Sequence, residues 1–166
     1  MNKGLIFGIL FLVGLFSASA QDVTGYWKTI DDVTGEVKSV VAVYEKGGKV
    51  YGRVLAIFEE GAYLEDFRNP QKVAEETAGQ PYFCGLDIIW DMEKKGDSYK
   101  KGKIMDPQNG KHYSCEMWLD GKNLMVRGKI GPIGRNQTWR PLDGSEGLPS
   151  DLTLPPLSSF TPVIPQ

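Results

Sequence analysis

Residues 102–140, GKIMDPQNGKHYSCEMWLDGKNLMVRGKIGPIGRNQTWR, read as four β-strands joined by three tight turns. Asp106-Pro107-Gln108-Asn109-Gly110 puts proline where φ of about −65° starts a turn and glycine where φ must turn positive. Asp120-Gly121 and Gly131-Pro132-Ile133-Gly134 punctuate the next two corners in the same way. Short consecutive connections force neighbouring antiparallel strands, so these 39 residues set the topology of the rest.

Upstream, the same chemistry repeats. Val23–Ile30 alternates as a half-buried strand does and ends at Asp31-Asp32-Val33-Thr34-Gly35. Val37–Tyr44 is β-branched, and Gly47-Gly48 turns it into a third strand, Val50–Phe58, whose Gly52 marks a bend or a close backbone approach. Strands four to eight are predicted at Tyr82–Asp91, Ser98–Met105, His112–Leu119, Leu124–Ile130 and Arg135–Arg140. The connection from Glu59 to Pro81 is the long one. Asn69-Pro70 with a polar run and Gly79 after it predicts a capped helical turn or two, and the loop is either a binding lid or a solvated insertion. Eight strands, each beside its predecessor, remove their edges by closing into an all-β antiparallel up-and-down barrel over residues 22–141. A two-sheet sandwich is the alternative, but it needs long crossovers and only one connection is long enough. The Pro-rich residues 142–166 lack either period and are expected to be mostly disordered.

The start of the chain has the secretory pattern. Lys3 precedes an apolar run from Leu5 to Phe16, and Ala18 and Ala20 suit a signal peptidase site, so residues 1–20 are expected to be removed and the remainder exported to the periplasm or beyond, not membrane-spanning. Loss of Lys3 leaves 18 basic and 21 acidic residues, a net charge of −3, with no block of like charge to engage nucleic acid. Cys84 and Cys115, on strands separated by another, are expected to stay reduced and face inward. Two strand spacings put them about 9–10 Å apart, too far for a disulfide.

Motif chemistry is sparse. One histidine and two separated cysteines make no zinc tetrad, facial triad or other metal site, and no cofactor motif is present. No GxSxG elbow exists to pair with His112, whose strand parity with Ser114 and Glu116 places it on the surface. Acid pairs such as Asp31-Asp32 and Glu59-Glu60 fall in turns. Asp87, inside an apolar run, is expected to face outward while Leu86, Ile88 and Trp90 face in. Arg53, Arg127, Arg135 and Arg140 lie on strands; parity places Arg127 outside, and any inward arginine needs a partner or offers an anchor to a ligand carboxylate.

Several of these segments together resemble a family of exported bacterial proteins, domain-of-unknown-function family 2147: Gly25-x-Trp27, Tyr51-Gly52-Arg53, Gly85-Leu86 with Ile88-Ile89-Trp90, Gly102-x-Ile104-x-Asp106-Pro107-x-Asn109-Gly110-Lys111-x-Tyr113, Val126-Arg127-Gly128 and Gly134-Arg135-x-x-x-Trp139. The resemblance spans about Asp22 to Pro141 and implies a small lipocalin-like barrel with no established activity. Members often carry a cysteine pair in the long connection; this chain has none there, so no such staple carries over. Gly25-x-Trp27 with Trp139-Arg140 is also similar to the calycin signature, which implies that Trp27 plugs one end and Arg140 packs on it, both structural. The expected function is non-enzymatic binding of a small apolar or amphipathic ligand. The competing readings are an envelope assembly module with a filled barrel, and a hydrolase or isomerase using Asp106, Lys111 and Tyr113. A ligand is expected at the end covered by the Glu59–Pro81 connection, where Tyr63, Phe67 and Tyr82 would form an apolar rim and Asp106, Lys111 and Arg135 the polar contacts.

Overall fold

The computed structural model describes residues 22–166, so the expected leader and its expected cleavage after Ala20 lie outside the described residues. Nine strands follow in chain order: β1 (Gly25–Ile30), β2 (Val37–Lys46), β3 (Lys49–Glu59), β4 (Ala62–Asp66), β5 (Asp87–Lys95), β6 (Ser98–Met105), β7 (His112–Asp120), β8 (Asn123–Ile130) and β9 (Ile133–Pro141). Every pairing is antiparallel. β9 returns to β1, so eight of the strands close the barrel in the order β1-β2-β3-β5-β6-β7-β8-β9. Closure removes the sheet edges that eight short strands would otherwise expose. Inside lie residues such as Val41, Val54, Ile89, Met117, Val126 and Trp139, all buried.

The ninth strand explains the long connection. β3 is 11 residues long, and its far edge pairs with β5 over Val50–Arg53 but with β4 over Ala56–Glu59. The connection therefore extends the wall rather than lying over it. Past β4 it is pinned by side chains: the Glu65 carboxylate accepts from the Gln71 and Lys72 amides at about 3.0 Å, and Val73 bridges to Tyr82. The helical turn expected near residues 70–76 is replaced there by this bridge and by tight turns. The short helix of the described residues is instead a 3-10 turn at Leu157–Ser159.

Two strand positions differ from simple alternation. A register shift between Gly52 and Arg53 lets both Ile88 and Ile89 face inward: Ile88 lines the interior, and Ile89 packs where a Cβ on Gly52 would sit. The shift turns Trp90, expected inside, to the outer side, where it pairs with Lys103 and meets the exposed His112 edge-on at 4.9 Å. Asp87 does face out of the barrel, opposite Arg53, yet it is wholly buried.

What buries it is the C-terminal extension. Residues 142–166, expected to be mostly disordered, wrap the barrel in an ordered path: the Leu142 amide bonds the Tyr26 carbonyl, Arg68 pairs with Asp151 at 2.9 Å, and Leu152 and Phe160 are buried. Prolines exclude a helix or a full strand here but leave extended chain that side chains can hold.

Trp27 is 7% exposed and donates through Nε1 to the Val23 carbonyl at 3.0 Å. Arg140 is not its cover. Trp27 pairs with Pro141 and Lys28 with Arg140, so Arg140 stands on the opposite face from the indole, exposed.

Candidate functional site

One end of the barrel is open onto a cavity of about 770 Å³. Its depth is apolar, formed by Val54, Phe58, Phe83, Ile88, Ile104, Val126 and Trp139. A few neutral polar groups interrupt that wall: Tyr113, Gln137, whose Oε1 accepts the Trp139 Nε1–H at 3.2 Å, and the Thr29–Ser39 hydroxyl pair at 2.8 Å. Gly128 leaves room that any other residue would fill. Charges sit in or beside the turns of the mouth, and most are paired there: Arg135 with Asp32 at 2.8 Å, Lys72 with Glu59 at 3.6 Å and Lys38 with Asp31 at 3.7 Å, while Asp106 is held by its own turn and Lys129 pairs with Glu116. Burying a charge deeper would be costly without a partner, and the wall has none to spare.

The mouth is built from the β1–β2, β3–β4, β6–β7 and β8–β9 turns, since turns of a meander alternate ends. Of the six residues expected to line it, Asp106 and Arg135 do. Asp106 also braces its own turn, accepting from the Gln108 amide at 2.9 Å and the Asn109 side chain at 3.0 Å. Lys111 is exposed and is not one of the lining residues, its carbonyl accepting from the Asp106 amide at 2.9 Å across the turn, whereas Tyr113 lines the cavity. Tyr63 stands in a separate small cleft with Glu59 and Leu64 and donates to Asp66 at 2.7 Å. Phe67 packs against the core with its amide on the Leu55 carbonyl, and Tyr82 is half exposed beyond the rim. The apolar rim comes instead from Ile130 and Ile133, 67% and 77% exposed on the β8–β9 hairpin.

A family model described as "uncharacterized protein conserved in bacteria (DUF2147)" matches residues 25–140, which run from the first residue of β1 to the last but one of β9. The chain belongs to this family. The DUF2147 chain is also similar in structure to protein HP1028 from Helicobacter pylori, described as belonging to the lipocalin family. TM-score is 0.59 at 21% identity, over 75% of this chain and 86% of that one. At that identity the likeness establishes the fold alone. No curated protein matches the chain.

Within this DUF2147 barrel the cysteines are free and buried. Burial pushes the Cys84 thiol up to about 12, with Glu65 adding to it, and raises Cys115 as well. Among the described residues no cluster of His, Cys, Asp and Glu could hold a metal ion, and no helix is long and apolar enough to cross a membrane. The lining residues that sequence reading missed carry a readable signal. Arg135, Gln137 and Trp139 alternate along β9, so placing Arg135 at the mouth implies that Gln137 and Trp139 follow it inward. Phe83 carried no such signal, because it precedes β5 in irregular chain.

Proposed function

We propose that this DUF2147 protein is exported, cleaved after Ala20, and acts in the bacterial envelope as a non-enzymatic binder of one small apolar or amphipathic molecule. The observation that carries the reading is the cavity. Its volume falls within the roughly 300–1,000 Å³ typical of small-ligand sites, with an apolar wall and a few fixed polar groups. A filled barrel would leave no such space. Because all charged lining groups are at the mouth, the apolar part of a ligand belongs against Trp139, Ile104 and Val126, and any polar head belongs beside Arg135 and Lys72. Those two cations are held in exposed ion pairs worth about 0–1 kcal/mol each, so a ligand carboxylate can displace Asp32 or Glu59 at little cost. Export is supported by the apolar run Leu5–Phe16 with Ala18 and Ala20 ahead of Gln21.

The test is native mass spectrometry of the mature protein isolated from its own host, with titration of a fluorescent fatty acid into the delipidated protein. A retained small molecule and one-to-one probe binding that quenches Trp139 are expected. Absence of both would refute the binding assignment. An intact mass retaining residues 1–20 would refute the soluble envelope assignment separately.

A further inference from the structure

On the outer wall, away from the cavity, Tyr44, Arg53 and Asp87 form a buried polar cluster. Arg53 grips Asp87 with both branches of its guanidinium, Nε to Oδ1 at 3.0 Å and Nη2 to Oδ2 at 2.8 Å, while the Tyr44 hydroxyl donates to the same carboxylate at 2.9 Å. Asp87 has no exposure at all. Its cover is the chain's own extended C-terminal segment. The Thr161 carbonyl accepts from Arg53 Nη2 at 2.6 Å, the Val163 amide donates to Asp87 Oδ2 at 2.6 Å, and the Val163 carbonyl accepts from the Asp87 amide at 2.9 Å. Phe160 completes the contact, its ring 5.0 Å from the Tyr44 ring and 5.4 Å from the Arg53 guanidinium carbon.

We infer that the Tyr44–Arg53–Asp87 face is a recognition groove for an extended peptide carrying an aromatic residue followed by a Pro-aliphatic pair, occupied in this chain by its own residues 160–163. Three observations carry this. First, all three hydrogen bonds to the segment go to its backbone, from residues two apart, as when a peptide is read along one edge of a strand. Pro162, between them, has no N–H to leave unsatisfied. Second, the groove residues lie within the family-matched residues 25–140, whereas the occupant lies beyond them, and no barrel strand includes it. The groove is thus part of the domain and the segment is something the domain holds. Third, Arg53 and Asp87 are already paired with each other, independently of the segment. Uncovered, Arg53 and Asp87 would still satisfy each other as a bidentate pair at the surface, where such pairs cost little, rather than leaving an unpaired buried charge. The tether explains why the chain's own segment fills the groove, since a short linker supplies an effective concentration of about millimolar order.

The experiment uses the full mature chain and a fluorescein-labelled synthetic peptide spanning residues 156–166, read by anisotropy. In a Phe160→Ala/Val163→Pro chain the tethered segment loses its ring contact and its amide donor, so the wild-type peptide should bind the variant at least about tenfold more tightly than it binds the wild-type chain. Peptides carrying Phe160→Ala or Val163→Pro should bind that same variant chain about tenfold more weakly than the wild-type peptide, and these changes cannot disturb the protein's folding. The inference is overturned if the folded variant does not bind the wild-type peptide, or if the three peptides bind alike. It is overturned equally if the variant chain fails to fold, which would make the segment part of the fold rather than an occupant of a site.

Discussion

Gly128 offers a perturbation whose two consequences have opposite signs. It sits on β8 with its backbone in the ordinary extended region, facing the cavity, and a Cβ added there would meet Ile104 Cγ2 at 3.5 Å and the Tyr113 Cβ at 3.8 Å. Both distances are normal van der Waals contact. A glycine inside a strand costs roughly 0.5–1 kcal/mol relative to alanine through the entropy of the unfolded chain, so Gly128→Ala should stabilise the domain by about that amount. Gly128→Val adds two further methyl groups directed into the space a ligand would use, on a residue type that strands favour. If those groups displace two ligand methylenes at about 0.8 kcal/mol each, binding weakens by about 1.6 kcal/mol, roughly fifteenfold in Kd. Gly102 is the control. A Cβ there would run into Met92 Sδ and the Trp90 carbonyl, so Gly102→Ala should destabilise by about 1–3 kcal/mol. Guanidinium unfolding followed by tryptophan emission gives the stabilities, provided the m-value is unchanged, and fatty-acid probe titration gives the affinities. A Gly128→Ala protein destabilised by more than about 0.5 kcal/mol, or a Gly128→Val protein with wild-type affinity, would show that the cavity is not the free space and binding site argued for here.

Trp27→Ala should cost about 3–5 kcal/mol in the same unfolding assay, since the indole is almost fully enclosed and its N–H is satisfied, whereas Arg140→Ala should stay within about 0.5 kcal/mol. Asp66 is held at about 2, chiefly by its hydrogen bonds from Arg68, below its ordinary 3.8. A depressed acid stabilises the fold above its unfolded value and loses that contribution as pH falls through the folded one. Stability should therefore drop between about pH 4 and 2 by roughly 1–2 kcal/mol, a figure reduced because Arg68 is 38% exposed, and Asp66→Asn should flatten that limb of an acid titration. Native protein should react with no thiol reagent at mildly alkaline pH, and two thiols should appear in denaturant, because burial raises Cys84 and Cys115 and leaves both free.

The barrel was legible because its signals are local. Each tight turn carries its own glycine or proline, and strand parity does the rest: β6, β7 and β8 begin and end within one residue of where Asp106-Pro107, Asp120-Gly121 and Gly131-Pro132 place them. The mouth was legible for the same reason, since alternation of turns fixes which corners share an end. What was not legible depended on partners distant in sequence. The register shift at Gly52–Arg53 that turns Trp90 outward lies near the point where β3 changes partner from β5 to β4, and nothing in residues 87–90 announces it.

The position of Asp87 shows where such reading stops. Parity placed it on the outside correctly, and an outward carboxylate in a short barrel is ordinarily solvated. Its burial comes from Val163, 76 residues away, in a stretch whose prolines argue only against helix and sheet. Composition reports whether a segment can make its own backbone hydrogen bonds; it does not report whether another surface makes them for it. For residues 160–163 the guanidinium of Arg53 and the amide and carboxylate of Asp87 supply those bonds, so the segment is ordered without any secondary structure of its own. The same reasoning applies in reverse to the barrel. A face that satisfies the backbone of an extended segment this completely is an outer face by strand pattern and an inner one by burial.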